Sequence, residues 1–204
     1  MELTEYMKAH ALLKKYKIKS IESKYVETAD EAIEFSKGKP IVLKVISSKA
    51  LHKSRNRLVE LDLGNPKDIT NAFNQLKKRA QPFRPYKMIA QRMVKNGIEI
   101  ILGGKTDQQF GKMVLLGLGG IYVEAFKDFA LRLCPITEHD AEEMLQQLRS
   151  RKVIAPDEKS SKMIKELLLK VSRMFEDSNL TELDLNPVML HDNTYDAVDL
   201  RLIK

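Results

Sequence analysis

Apolar and polar positions change period several times along the chain, and each change marks an element. From Thr4, a natural N-cap, the residues Met7, Leu12, Leu13 and Tyr16 form a rough helical stripe. A second helix is predicted over residues 29–37, with Ala32, Ile33 and Phe35 on its buried side. The run Ile41–Ile46 (Ile-Val-Leu-Lys-Val-Ile) is β-rich with one lysine inside it, and residues 58–63 alternate apolar with acidic as a half-exposed strand does. Gly64 to Pro66 stops that strand, and helix resumes over 68–78. Residues 81–86 hold two prolines and read as an extended connector.

Beyond it, strands are predicted at 87–93 and 98–102, separated by a tight turn at 95–97 whose centre is Asn96-Gly97. A further strand at 112–118 is broken by Gly119-Gly120, and helices follow at 138–149 and 160–176. Two strands close the chain, 181–185 and 195–202, joined by the polar turn 191–194. This order lacks the strict βαβ rhythm of a doubly wound sheet. The fold class it implies is α+β with two lobes, a smaller one at 20–86 and a larger one made of 1–19 and 87–204.

Composition narrows the function classes. The chain has 35 basic against 28 acidic residues, a balance of +7 that suits phosphate ligands as well as nucleic acid. The basic residues are spread along the chain with a local rise at 49–57. RNA-binding aromatic signatures, zinc-finger spacings and tryptophan are all lacking from the sequence, so nucleic-acid recognition is not supported. Cys134 is the only cysteine, which rules out a disulfide framework and a cysteine-based zinc site and reads as cytoplasmic. No apolar run approaches the roughly 18 residues a bilayer span requires. The start MELTEYMKAH has no apolar core of a secretory signal.

Two glycine motifs fail on inspection. Gly103-Gly104-Lys105-Thr106 ends like a phosphate-binding P-loop, but Glu99 stands where that motif needs its first glycine. Gly117-x-Gly119 lacks the third small residue of a dinucleotide fingerprint, because Tyr122 occupies that position.

Four places carry candidate chemistry. Lys44, inside a β-rich run, either snorkels at a sheet edge or projects its ammonium into a cleft, where it would stabilise phosphate oxygens. In Glu182-Leu-Asp-Leu-Asn-Pro187 the alternation puts Glu182, Asp184 and Asn186 on one strand face. A hairpin return would bring Asp199 beside Asn186, giving two oxygen ligands of the sort magnesium accepts; the alternative is an exposed polar edge. His52, in a basic loop, is either a solvated residue or a nucleophile that accepts a phosphoryl group. Glu99 is either a nucleotide-wall residue or an exposed strand position.

Taken in order, these segments resemble a known family. Ile41-Val-Leu-Lys-Val-Ile-Ser, Leu51-His-Lys-Ser, Gln91-Arg-Met and Gly97-Ile-Glu-Ile-Ile-Leu-Gly are similar to the ATP-grasp β subunit of ADP-forming acetyl-CoA synthetases. So are Asp107-Gln-Gln-Phe-Gly, Gly117-Leu-Gly-Gly-Ile-Tyr-Val-Glu, Lys127-Asp128, Arg132-x-x-Pro135-Ile136 and Glu182-Leu-Asp-Leu-Asn-Pro-Val. The resemblance runs over nearly the whole chain. It implies an ATP-grasp fold whose two lobes clamp ATP or ADP with Mg²⁺, and a hetero-oligomer with a CoA-binding α subunit. The implied reaction converts acyl-CoA, ADP and phosphate to acid, ATP and CoA through a phosphohistidine. By position, Lys44 would contact nucleotide phosphate, Glu99 would line the cleft, and Asn186 and Asp199 would hold magnesium. His52 falls on the histidine that ferries phosphate. Glu124 and Arg132 fall in family motifs and join the nucleotide-binding set with their individual roles open.

One stretch departs from the family. After the His-Lys-Ser, the family has an acidic residue and a glycine pair, whereas this chain reads Ser54-Arg-Asn-Arg-Leu-Val59. Bulk at Arg57 and Leu58 stiffens a segment that glycine would let swing. The expectation is weaker shuttling by His52, or phosphate gripping by Arg55 or Arg57. The family's glycine-rich turn after the helix at 138 is also replaced, by residues 152–159. Those two losses leave a divergent, non-catalytic nucleotide-binding module as the alternative.

Overall fold

The computed structural model describes residues 3–49, 57–120 and 127–203. They form two units: residues 3–7 with Ile21–Lys95, and Lys8–Ser20 with the chain from Asn96 onward. Helix α1 (Leu3–Lys15) therefore contributes its first turn to one unit and the rest to the other. It already includes Thr4, so the helix starts before the cap expected there.

The first unit is built on a four-stranded antiparallel sheet in the order β1-β4-β2-β3, with β1 Ser23–Val26, β2 Ile41–Ile46, β3 Val59–Leu63 and β4 Lys87–Arg92. Helix α2 (Ala29–Ser36) starts where the Thr28 hydroxyl accepts the Glu31 amide, and it ends at Lys37 in the left-handed region. Helix α3 (Pro66–Arg79) combines an Asn65 cap, proline in its first turn and Lys77, Lys78 and Arg79 in its last, the polarity a helix dipole favours. Both helices bury apolar faces against Ile41, Leu43 and Val45. Successive strand residues alternate faces, so Val42, Lys44 and Ile46 lie on the other side.

The connector at 81–86 is a short 3-10 turn, Gln81–Phe83, followed by a cis Arg84–Pro85 peptide. The strand after it does not form a hairpin with the next one. β4 pairs with β1 and β2, whereas β5 (Ile98–Asp107) pairs with β6 (Gly111–Leu118) and β8 (Glu182–His191). Asn96 adopts φ 59, as a turn residue does, but it stands at the start of the second unit. The division thus falls after Lys95 and not at 86, because the hydrogen bonds of β4 tie it to the first sheet.

The second unit holds a sheet in the order β10-β8-β5-β6-β7, with β7 Phe129–Leu133 and β10 Leu200–Ile203, while β9 (Thr194–Ala197) pairs with the far end of β8. The expected final strand is therefore two, β9 and β10, and β8 runs on to His191 where a stop at 185 was expected. Helices α4 (Glu138–Gln147), α5 (Arg151–Ile154) and α6 (Glu158–Glu176), with α1 beyond Met7, supply the core on one face. Capping boxes set the starts of α4 and α6: Thr137 with Asp140, and Asp157 with Ser160. Ser160 is thus a capping partner in the first turn, and the helix begins earlier than expected. The Lys112 ammonium closes the other end of α6, donating to the carbonyls of Phe175, Glu176 and Ser178 at 3.0, 2.7 and 2.6 Å.

The P-loop-like glycines have a packing role. A Cβ on Gly104 would come within 3.0 Å of the Phe175 ring, so glycine there lets α6 press on β5. The stretch 152–159 folds as the rest of α5 and the Asp157 cap.

Asp128 joins β7 to the start of α5, accepting the amides of Arg149 and Ser150 at 2.9 and 2.8 Å. Burial works to raise this carboxyl, but hydrogen bonds from Ser150 and Arg149 and the Arg149 charge outweigh it and hold it below its ordinary value. A depressed carboxyl stabilises the fold above its unfolded pKa and loses that contribution as pH falls through the folded value. Asp128→Asn is expected to cost about 1–2 kcal/mol at neutral pH. Urea unfolding of both proteins across pH should show the difference shrinking below the ordinary value of 3.8. A difference unchanged at acid pH would remove this role.

Candidate functional site

Proline 187 decides the geometry of β8. It has no N–H, and the pairing of β8 with β5 slips there: Ile100 faces Val188 and Leu102 faces Leu185, so Asn186 and Pro187 together oppose Ile101. On the other edge, β9 and β10 break at the same level, between Ala197 and Leu200. Two backbone bonds close the gap, from the Asn186 amide to the Asp199 carbonyl at 3.1 Å and from the Val198 amide to the Pro187 carbonyl at 3.0 Å. Asn186 and Asp199, thirteen positions apart in the sequence, are neighbours here. The Asp199 carboxylate also accepts the Leu200 amide at 3.1 Å.

The approach to Asp199 is anchored from behind. The buried Asp196 carboxylate accepts the Lys19 ammonium at 3.1 Å and lies 2.8 Å from His191 Nε2. Ala197 bridges to Ser20, with its amide bonded to the Lys19 carbonyl at 3.0 Å.

Register places the other residues by face. Leu183 and Leu185 of β8 enter the core under the helices, so Asp184 and Asn186 lie on the open face of the sheet. Gly103 pairs with Asp184, and Glu99 has the same parity in β5, so Glu99 shares that open face. Asp184 was read only as a face-mate of Asn186, yet its surroundings make it part of the site. Desolvation first, then the charges of Asp199 and Glu182, push its carboxyl above its ordinary value against the pull of Arg201, although the side chain still meets solvent. The spacing Asp184-x-Asn186 was the available signal; the charge of Asp199 beside it required the fold. Among the described residues, no group of three or more His, Cys, Asp and Glu side chains is placed to hold a metal.

Glu99 packs against Gly119 and Gly120. Its carbonyl accepts the Gly119 amide at 2.7 Å, and a Cβ on Gly119 would stand 2.8 Å from the Glu99 Cβ and carbonyl carbon. The glycine pair that ends β6 thus seats the backbone on which Glu99 is carried.

Arg132 is turned the other way. It pairs with Val114 in register, on the helix side, and its guanidinium bonds Glu143 and Gln147 of α4, both at 3.1 Å, and the Leu131 carbonyl at 2.8 Å. In this geometry it braces β7 to α4 on the helix side of the sheet.

Lys44 is in the first unit, 3% exposed at the centre of β2, paired with Val59 and Ile89. β2 lies between β4 and β3 with all six of its residues buried, so Lys44 is not at a sheet edge. Its ammonium stands 5.9 Å from the centroid of the Tyr6 ring. Arg57 is exposed, with its carbonyl accepting Arg79 at 2.9 Å. His52, Arg55 and Glu124 lie outside the described residues.

Residues 2–203 match the family described as the ATP-grasp domain. The chain belongs to the ATP-grasp family. It is 34% identical over 215 residues to the β subunit of the ADP-forming acetate–CoA ligase II of Pyrococcus furiosus, covering 98% of this chain and 91% of that protein. Among solved structures, the dinucleotide-forming acetyl-coenzyme A synthetase 1 of Ca. Korarchaeum cryptofilum, in complex with coenzyme A, Ca-AMPCP and HgCl+, superposes with a TM-score of 0.88 at 29% identity, over 97% of this chain and 91% of that one. Another structure of that enzyme, with coenzyme A and Mg-AMPPCP, has its phosphohistidine segment pointing towards the nucleotide binding site; it superposes with a TM-score of 0.81 at 29% identity, over 97% of this chain and 90% of that one. The α+β, ATP-grasp fold expected from the sequence is the one observed. No helix among the described residues is long and apolar enough to cross a membrane.

The contact beneath Glu99 gives a direct test. Gly119→Ala should destabilise the protein by about 1–3 kcal/mol, the range of a core overpacking, because its Cβ meets backbone atoms that cannot swing aside. Chemical denaturation measures it, and a change below about 0.5 kcal/mol would mean the turn relaxes freely.

Proposed function

We propose that this chain is the nucleotide-binding subunit of an ADP-forming acyl-CoA ligase, working in the cytoplasm with a CoA-binding α partner. The overall reaction takes acyl-CoA, ADP and phosphate to acid, ATP and CoA. The observation that carries this reading is the meeting of Asn186 and Asp199 at the β8 bulge. An amide oxygen and a carboxylate are hard donors, and magnesium takes few protein ligands and keeps several waters, so the pair fits that ion. When bound, Mg²⁺ supplies charge neutralisation and alignment for the phosphate oxygens.

The remaining residues divide the work. Lys44 presents fixed positive charge to the phosphates, and Glu99 contributes to the wall on the open face with Asn186. Asp184 adds negative charge beside Asp199, which favours a cation there. In the transfer, the N–P bond of a phosphohistidine breaks and an oxygen of the ADP β-phosphate forms the new P–O bond. The imidazole nitrogen leaves with the bonding pair and takes up a proton. His52 is the carrier by its match to the family, with Arg55 and Arg57 gripping the phosphoryl oxygens and Glu124 in the nucleotide-binding set.

A second reading, a nucleotide-binding module without turnover, is favoured by the exit of that segment. Arg57 holds φ 51, a conformation glycine adopts more cheaply, and Leu58 is fully buried with its carbonyl accepting the Val45 amide at 3.0 Å. This exit is anchored where the family has its glycine pair.

The pair of readings is separated by reconstitution with a CoA-binding α subunit. The ligase reading expects ATP from acetyl-CoA, ADP and phosphate. It also expects Asn186→Ala and Asp199→Ala each to weaken Mg-ADP binding at least about tenfold, roughly 1.4 kcal/mol. His52→Ala should keep nucleotide affinity and abolish ATP formation. Binding without any ATP formation selects the module, and a melting temperature that no nucleotide shifts would overturn both.

A further inference from the structure

The open face of the second sheet is acidic around the metal pair. Glu99, Glu182 and Asp184 share it by parity, and the charge of Asp199 bears on Asp184. A nucleotide polyphosphate is itself an anion, so these carboxylates repel it, and one Mg²⁺ offsets only part of that repulsion. A fixed cation on the same face would offset more, and β10 supplies one. Leu200 is 2% exposed and packs in the core with the helices, so the next residue, Arg201, lies on the open side. Arg201 pairs in register with Asp184. With Asp184 and Lys105 it lines a cleft of about 480 Å³ that also takes in Ile101, Met113 and Leu115.

The guanidinium of Arg201 is the informative group. An arginine facing an aspartate has the fork geometry to close a two-bonded pair with it. Arg201 does draw on the Asp184 carboxylate electrostatically, but among the described residues its guanidinium makes no ion pair and no hydrogen bond. Five N–H donors are therefore carried on the face of the metal pair without a partner among those residues.

We infer that Arg201 is a phosphate-binding residue of the nucleotide site, taking phosphate oxygens while Asn186 and Asp199 take the metal; this rests on the nucleotide-binding reading above. Position separates Arg201 from Lys105, the other cation of the cleft. Arg201 is two residues from Asp199 and faces Asp184, which is two residues from Asn186. Lys105 faces Glu182, a further two residues along β8, about 6.6 Å farther from Asn186. Chemistry separates them as well. A guanidinium fork takes two oxygens of one phosphate, whereas an ammonium acts as a point charge.

The test compares the two cations on the full chain. Mg-ADP and the ATP analogue Mg-AMPPCP are titrated calorimetrically into wild type, Arg201→Gln, Arg201→Lys and Lys105→Gln. Arg201→Gln should weaken binding about ten- to hundredfold, the span of hydrogen bonds to a charged group. Arg201→Lys should recover part of that loss and stay about three- to tenfold below wild type, since it keeps the charge and loses the fork. Lys105→Gln should stay within about threefold. A loss with both ligands assigns Arg201 to phosphates that ADP already carries, and a loss with Mg-AMPPCP alone assigns it to the transferred phosphoryl group. Mn²⁺ binding without nucleotide, followed by its paramagnetic resonance signal, should be unchanged or tighter in Arg201→Gln, because a positive charge leaves the neighbourhood of Asp184 and Asp199. A merely structural role would weaken metal and nucleotide together, and that result overturns the inference. Equal losses in Arg201→Gln and Lys105→Gln would show a general charge effect and overturn it too. Wild-type affinity in Arg201→Gln overturns it and leaves the nucleotide reading intact. Failure of the wild-type chain to bind either ligand overturns both.

Discussion

A proline in an interior strand cannot complete the hydrogen-bond ladder, and the second unit is organised around that constraint. β8 has β5 on one edge and β9 and β10 on the other, so Pro187 interrupts pairing in a place with no water-facing side to absorb it. The chain answers with a bulge against Ile101 on one edge and a break between β9 and β10 on the other. Backbone groups left over by the break find each other, Asn186 with Asp199 and Val198 with Pro187. The same irregularity that satisfies the backbone thus makes Asn186 and Asp199 neighbours. The buried Asp196, held by Lys19 and His191, fixes the strand that leads into it.

The second sheet has one face committed to apolar packing and one left open. In the second unit the helix face takes Leu183, Leu185, Val114 and the stem of Arg132, and the open face takes Glu99, Asp184 and Asn186. Which face a residue joins is a matter of parity, so a change of one position in register would exchange the two sets. In the first unit both faces of β2 are covered, and Lys44 is carried on the side away from α2 and α3. Its ammonium stands 5.9 Å from the centroid of the Tyr6 ring.

The departure from the family is local and has a structural counterpart. Arg79 bonds the Arg57 carbonyl and also Glu60 and Gln75, so the residues following the histidine segment are tied to α3. Leu58 is buried in the first core. These contacts anchor the chain at the exit of the segment where the resemblance leads one to expect glycine.

Local chemistry settled much of this protein in advance. Alternation and capping residues located β2, β3, α2 and α3 closely, because those signals act within a few neighbours. The Asp184-x-Asn186 spacing marked one strand face, and the polar turn at 191–194 returned the chain toward it. The tertiary structure alone decided which sheet each strand joined. Strand β4 and strand β5 are neighbours in sequence with a turn-forming Asn96-Gly97 between them, yet their partners lie elsewhere, so no hairpin forms. It alone turned Arg132 toward α4, since parity is defined only once β7 has paired with β6. It alone set Tyr6 over Lys44 and Asp199 beside Asp184. Those pairs are distant along the chain, and contacts of that kind depend on register and packing that no local window of sequence contains.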